Sequence, residues 1–202
     1  MLKIAILASG GGTNLQAIID EVEAGRLDCS IELVITDSPS AFALERAKKH
    51  SIPTAIVEKS EFRKRKEFDT ELVRLLKSHG VEVVVLAGFM RLLSSVMLDA
   101  FPMSILNIHP SLLPSFPGLN VQQHAIEHGV KLSGCTVHFV DTGLDSGPIL
   151  LQASVPVLDT DTPESLAARI LIEEHKIYPE ALNIIAAGRV TIEGRRVIIK
   201  KA

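Results

Sequence analysis

Apolar runs alternate with amphipathic stretches from the start of the chain. Leu2 to Ala8 reads as a buried strand, Asn14 to Ala24 as a helix and Ile31 to Thr36 as a second strand. Short apolar runs separated by helical periods imply parallel strands joined by helical crossovers. The alternation continues with a helix at Ala41 to His50, a short strand at Thr54 to Val57 and a core strand at Val81 to Ala87. Between the last two, Glu61 to His79 reads as one long amphipathic helix that carries Arg63-Lys64-Arg65-Lys66-Glu67 near its start. A helix over Ser94 to Ala100 stops before Pro102, and Met103 to Ile108 supplies a further strand. This pattern is that of a Rossmann-like half.

The second half reads differently. Pro110 to Gly118 holds three prolines and predicts an irregular loop over the strand ends. Gln122 to His128 is helical in pattern, while Val137 to Val140 and Ile149 to Val157 are strands whose short connection, Asp141 to Pro148, suits an antiparallel pair. Thr162 is placed as the N-cap of a helix with Pro163 at its first position. That helix runs toward Ile177, and Pro179 is expected to kink or interrupt it. Val190 to Ile192 and Val197 to Ile199, around a Glu193-Gly194 turn, predict a small hairpin.

Composition narrows the class. With 202 residues the chain is expected to form one domain, and its 47% hydrophobic and 22% charged content is that of an ordinary water-soluble protein. No apolar run is long enough to cross a bilayer. The start of the chain has neither a basic n-region with a long apolar segment nor a small-residue cleavage site, so a cytoplasmic location is expected. A net charge of −3 gives no general drive toward nucleic acid, and one Tyr with no Trp leaves few platforms for stacking bases. Cys29 and Cys135 lack metal-ligand spacing and read as buried thiols.

Three segments carry candidate chemistry. Asn107 and His109 stand two residues apart at the end of an apolar run, so an extended backbone turns both to one side. A carboxamide donor holds developing oxyanion charge and an imidazole moves protons near neutral pH, the minimum equipment for acyl-type transfer. Ser9-Gly-Gly-Gly-Thr-Asn14, between the first strand and the first helix, offers free amides and a positive helix end to an anion such as phosphate. It lacks the Walker lysine and the GxGxxG spacing, which disfavours ATP and NAD. Taken alone, the glycines also fit a tight strand-to-helix turn. Asp145 lies in the turn-rich Asp141 to Pro148, where it is either an ordinary turn residue or the group that orients His109 and favours its imidazolium.

The stretches SGGGTNLQAI, VLAGFMRLLS, ILNIHPSLLPSFPG, GCTVHFVDTGLDSGPILLQ and EEHKIYP resemble the phosphoribosylglycinamide formyltransferase family over nearly the whole chain. The resemblance implies an α/β, Rossmann-like formyltransferase fold. Its central sheet is mostly parallel and flanked by helices, with an antiparallel C-terminal portion. It also implies a single domain over 1–202, with a phosphate-binding half (1–100) and a catalytic, folate-binding half (101–202). The implied reaction moves the formyl group of 10-formyltetrahydrofolate, the donor co-substrate, to the amine of phosphoribosylglycinamide in purine synthesis, without a metal.

By the same resemblance His109, Asn107 and Asp145 are catalytic, and Gly12, Thr13 and Asn14 hold substrate phosphate. Glu174, with Glu173 beside it, orients the substrate amine. Arg65, Met90, Arg91, Leu92 and Leu93, Asn107, and the segment Asp141, Thr142, Gly143, Leu144 and Asp145 face the folate. Taken alone, the leucines read as core packing. Some relatives carry a polar residue at Leu171 and histidines at Asn120 and Gln122, which this chain lacks. The expected partners are small molecules rather than nucleic acid or membrane, and the resemblance admits a homodimer.

The competing readings are a formyltetrahydrofolate deformylase, which normally carries a further N-terminal domain, and a methionyl-tRNA formyltransferase, which adds a basic C-terminal domain. A folate or phosphosugar binding module without turnover is the third.

Overall fold

The structure, a computed structural model, describes residues 1–201. They form two compact units, the first Met1–Asn107 and the second beginning at Ile108.

β1 (Leu2–Ala8), β2 (Cys29–Thr36), β3 (Thr54–Ile56) and β4 (Val83–Leu86) of the first unit, with β5 (Ile105–His109), whose first three residues belong to it, follow the spatial order β3-β2-β1-β4-β5. Every pairing within that order is parallel. The core strands are continuous apolar runs because both sheet faces are covered. Ile4, Ala5, Ile6, Leu7, Val84 and Val85 have no exposed surface. Chain order reverses between β1 and β4, and ligands of open α/β sheets bind beyond the carboxyl ends of the strands at such a switch point. Helices α1 (Thr13–Glu23), α2 (Phe42–Lys49), α3 (Arg65–Ser78) and α4 (Ser95–Ala100) make the connections.

The long helix expected from Glu61 is shorter than its pattern. A single 3-10 turn covers Lys59–Glu61, and α3 begins only at Arg65. Glu67 explains the late start: its carboxylate accepts the backbone N–H groups of Arg63 and Lys64 at 3.1 and 3.2 Å, fixing an extended entry into the helix. The strand expected from Met103 also starts late, at Ile105, because Met103 adopts a left-handed φ of 51°.

In the second unit β6 (Leu132–Phe139) and β7 (Ile149–Pro156) are antiparallel, as expected, but β6 begins five residues before the predicted Val137. Gly134 sits in the unexpected part. A Cβ there would lie 1.9 Å from the Ala153 carbonyl oxygen, so the close strand approach needs glycine. β8 (Val190–Glu193) and β9 (Arg196–Ile199) form the C-terminal hairpin, and the register pairs Glu193 with Arg196, which makes Gly194-Arg195 the turn rather than Glu193-Gly194. β9 adds in parallel to β7.

Helix α5 (Val121–Glu127) is short, whereas α6 (Pro163–Ala186) runs unbroken through Pro179. The expected interruption is overridden by burial. Leu166, Ile170, Tyr178, Ala181 and Leu182 are fully enclosed where α6 packs on β6 and β7. Each large apolar side chain so buried contributes about 1.5–3 kcal/mol, which together exceeds the roughly 3 kcal/mol cost of an internal proline. The α6 N-terminus is as predicted: Thr162 Oγ1 accepts the Ser165 amide and Pro163 occupies the first turn.

Candidate functional site

The first unit presents two cavities. One, of about 280 Å³, is lined by Ser9 to Asn14 together with Ala87, Gly88 and Met90, at the carboxyl ends of β1 and β4. The Ser9 amide donates to the Gly88 carbonyl at 3.1 Å and its hydroxyl accepts the Met90 amide at 3.1 Å, which ties the two strand ends together. Gly12 caps α1 in the left-handed region, with φ 68° and ψ 34°. A Cβ on it would fall 2.9 Å from Ala43 Cβ, so both conformation and space demand glycine. Thr13 opens the helix, exposed, and Asn14 is buried against the core. The three residues expected to take phosphate therefore lie together at a helix N-terminus, where amides without helical acceptors favour an anion.

A second cavity, of about 300 Å³, is lined by Lys59, Phe62, Arg63, Lys64, Arg65, Phe68, Met90, Arg91 and Leu92. Four of the residues expected to face folate are here. Met90 and Leu92 are 73% and 60% exposed, values that rule out the core-packing alternative for these two, while Leu93 is half-buried. Arg91 is held in place rather than free: its Nε donates to Asp37 Oδ2 at 2.5 Å and its guanidinium lies 5.4 Å from the Phe68 ring centre. Lys59, Phe62, Arg63, Lys64 and Phe68 were not expected from the sequence. The sequence pattern places the basic run at the start of a long amphipathic helix, whereas α3 begins only at Arg65 and Arg63 to Arg65 line the cavity.

The second unit builds the imidazole site. His109 ends β5 with 5% exposure, and its Nδ1 lies 3.4 Å from Asp145 Oδ2. Its Nε2 faces the Phe116 carbonyl at 2.9 Å. The ring therefore has a carbonyl oxygen at hydrogen-bond distance from one nitrogen and a carboxylate at ion-pair distance from the other. Asp145 itself is fixed by the Gly118 amide, which donates to Oδ2 at 2.8 Å, and by a left-handed φ of 47°. Asp141 Oδ1 accepts the Gly143 amide and the Ser146 hydroxyl, closing the loop over 141–146. Thr142, Gly143 and Leu144 are exposed on that loop. Gly147 lets the loop return, since a Cβ there would lie 1.8 Å from the Phe139 carbonyl oxygen.

Asn107 is half-buried on β5, two residues before His109, and strand geometry turns both side chains to the same face. On α6 the two glutamates differ: Glu174 is 8% exposed, while Glu173 is ion-paired with Lys176 at 2.8 Å. Asn120 caps α5 in the left-handed region, and Gln122 and Leu171 are half-buried.

His138 also belongs to this cluster and was missed. Its Nε2 lies 3.9 Å from Asp145 Oδ1, the carboxylate that also lies 3.4 Å from His109 Nδ1. The sequence offers only its place in VHFVDTG, and strand alternation gives it no direction because every β6 residue from Ser133 to Phe139 is buried. Burial pushes the His138 pKa down, outweighing the Phe139 carbonyl and the Asp145 carboxylate, which raise it. A histidine buried neutral binds fewer protons folded than unfolded, so stability falls as pH drops below the unfolded value near 6.5. His138→Asn is expected to flatten that part of the acid limb, read as a smaller change in Tm between pH 7.5 and pH 5.5 than in the parent protein.

Both cysteines are buried, and desolvation pushes each thiol up to about 12. Among the described residues no group of three or more His, Cys, Asp or Glu has the arrangement of a metal centre, and no helix is long and apolar enough to cross a membrane.

A formyl transferase family profile matches residues 2–182. The chain belongs to the formyl transferase family. It is 42% identical over 188 residues to phosphoribosylglycinamide formyltransferase of Escherichia coli (strain K12), covering 93% of this chain and 89% of that one. The crystal structure of glycinamide ribonucleotide transformylase 1 from Symbiobacterium toebii superposes with a TM-score of 0.98 at 53% identity, covering 100% of this chain and 95% of that chain. Similarity extends to trifunctional purine biosynthetic protein adenosine-3 of Drosophila pseudoobscura pseudoobscura, 46% identical over 92% of this chain. The chain spans 14% of that relative's length. The fold expected from the sequence, a mostly parallel α/β sheet with an antiparallel C-terminal portion, is the fold these relatives share.

Proposed function

We propose that this protein transfers the formyl group of 10-formyltetrahydrofolate to the amine of phosphoribosylglycinamide, giving formylglycinamide ribonucleotide and tetrahydrofolate, in the cytoplasm. The observation that carries the reading is the His109–Asp145 pair, 3.4 Å apart and nearly closed to solvent, on the strand that also bears Asn107.

The substrate amine attacks the formyl carbon, and the new C–N bond forms as the carbonyl oxygen takes up negative charge. The Asn107 carboxamide and the His109 imidazolium stabilise that oxyanion, with the Nε2–H exchanging the Phe116 carbonyl for it. Asp145 holds the imidazolium in place. The proton lost by the attacking amine passes to N10 of the folate as the C–N10 bond breaks, so charge and atoms balance. Gly12, Thr13 and Asn14 take the phosphate, and Glu174, flanked by Glu173, orients the substrate amine, whose ammonium form first yields a proton to solvent. Arg65, Met90, Arg91, Leu92 and Leu93 hold the folate, and the backbone of Asp141 to Asp145 reads its polar edge.

Tetrahydrofolate release measured with and without phosphoribosylglycinamide tests this reading. Release that depends on the amine supports it; release into water alone indicates a deformylase, and binding without release indicates a non-catalytic module. Among the described residues Arg65 has no carboxylate within ion-pairing distance, and it is exposed where it lines the second cavity. A hydrogen bond to a charged group contributes about 1.5–3 kcal/mol, so Arg65→Ala is expected to raise the folate KM roughly tenfold or more with kcat little changed.

A further inference from the structure

Phosphate capture by the glycine turn requires its peptide N–H groups to face the cavity, and the groups that enforce this come from α2. We propose that Arg46 is a positioning residue for the phosphate turn: by holding the Gly11 carbonyl it aims the Gly12 amide at the anion, and it adds a positive charge that the turn itself lacks. The inference rests on the phosphate assignment made above.

Two hydrogen bonds set the peptide planes. The Gly10 carbonyl accepts the Ala43 amide at 3.1 Å, and the Gly11 carbonyl accepts Arg46 Nε at 2.8 Å. In a planar trans peptide the carbonyl and the following N–H point in opposite directions. Drawing both carbonyls toward α2 therefore turns the Gly11 and Gly12 amides away from it. Among the described residues, neither amide donates to a protein acceptor. The turn is pressed against the same helix, since a Cβ on Gly12 would meet Ala43 Cβ at 2.9 Å and Arg46 Cδ at 3.5 Å.

Arg46 is itself well fixed. Its Nη1 donates to Gln16 Oε1 at 3.1 Å, and Gln16 Nε2 is anchored on Asp20 at 2.8 Å. The guanidinium carbon lies 5.0 Å from the Phe42 ring centre. Among the described residues no carboxylate lies within ion-pairing distance of this guanidinium, so its charge is left to act on the turn. Ser9 to Asn14 includes no basic side chain. Arg46 acts through the peptide between Gly11 and Gly12, whose carbonyl its Nε holds.

Arg46→Met and Arg46→Lys test this, with phosphoribosylglycinamide and its dephosphorylated analogue as alternative substrates. Arg46→Met is expected to raise KM for the phosphorylated substrate about tenfold with kcat within twofold and folate KM unchanged. kcat/KM for the dephosphorylated substrate should stay at the parent value, and Arg46→Lys should recover part of the loss because an ammonium can still reach the carbonyl. A KM within twofold of the parent in Arg46→Met, or equal losses for both substrates, overturns the proposal. A second arm needs no turnover: ribose 5-phosphate is titrated into ¹⁵N-labelled protein and the Gly11 and Gly12 amide signals are followed. Shifts present in the parent and absent in Arg46→Met support the positioning role, and shifts retained in both variants refute it. Parent protein that shows these shifts yet transfers no formyl group would sink the enzymatic reading while leaving the role of Arg46 intact.

Discussion

Asn107→Ala should reduce formyl transfer by about 10²-fold to 10³-fold in kcat, with the KM of phosphoribosylglycinamide little altered. That is the usual cost of deleting one oxyanion donor, roughly 2.7–4 kcal/mol of transition-state stabilisation. The size follows from when the interaction forms: a carboxamide N–H gains most after the carbonyl oxygen has become charged, so its loss falls on the chemical step. Asn107→Asp separates chemistry from shape. It preserves the side-chain outline but replaces a donor with a carboxylate that repels the oxyanion, and it should be at least as slow as the alanine variant. Turnover near the parent rate in both Asn107→Ala and Asp145→Ala would refute the division of labour proposed for the site. Tm measured on each variant shows whether the strand end has been disturbed.

The second large effect is expected from Gly12→Ala. The residue adopts φ 68°, where a Cβ costs roughly 1–2 kcal/mol, and the added atom would lie 2.9 Å from Ala43 Cβ. Relief requires the turn to move away from α2, which stretches the bonds that hold the Gly10 and Gly11 carbonyls. KM for phosphoribosylglycinamide should rise at least tenfold, on the scale of one lost charged hydrogen bond, while the folate KM stays close to the parent value. Steady-state kinetics with each substrate varied in turn checks this. A variant with unchanged phosphosubstrate KM would show that the turn serves packing between strand and helix rather than anion binding.

The parts of the molecule governed by local rules were legible in the sequence. The run Ile4 to Leu7 announced a buried strand, and a strand, glycines and a helix in succession announced the strand-to-helix turn capped by Gly12. Thr162 and Pro163 marked the start of α6 in the same local terms. Features set by distant partners were not legible. Pro179 stays helical because residues around it are buried on β6 and β7, a tertiary effect that the proline rule alone does not contain. The first half of β6 was missed at Gly134, whose requirement arises from the Ala153 carbonyl on the neighbouring strand. α3 starts later than its pattern because Glu67 accepts the Arg63 and Lys64 amides and holds extended two residues whose own propensity is helical. In the candidate site, Asn107 and His109 could be paired by strand period alone. Asp145 needed the family resemblance, since its placement depends on the Gly118 amide 27 residues away. His138 had neither a local motif nor a role in the resemblance, and emerged only from its distance to Asp145.

The proposed unity of His109 and Asp145 is tested most directly by the single-turnover rate of formyl transfer in His109→Ala, Asp145→Asn and the double variant. If the carboxylate works only by holding the imidazolium, the double variant will be no slower than His109→Ala, because residues acting as one unit are not additive. Losses that multiply, or a His109→Ala rate near that of the parent, would contradict the account.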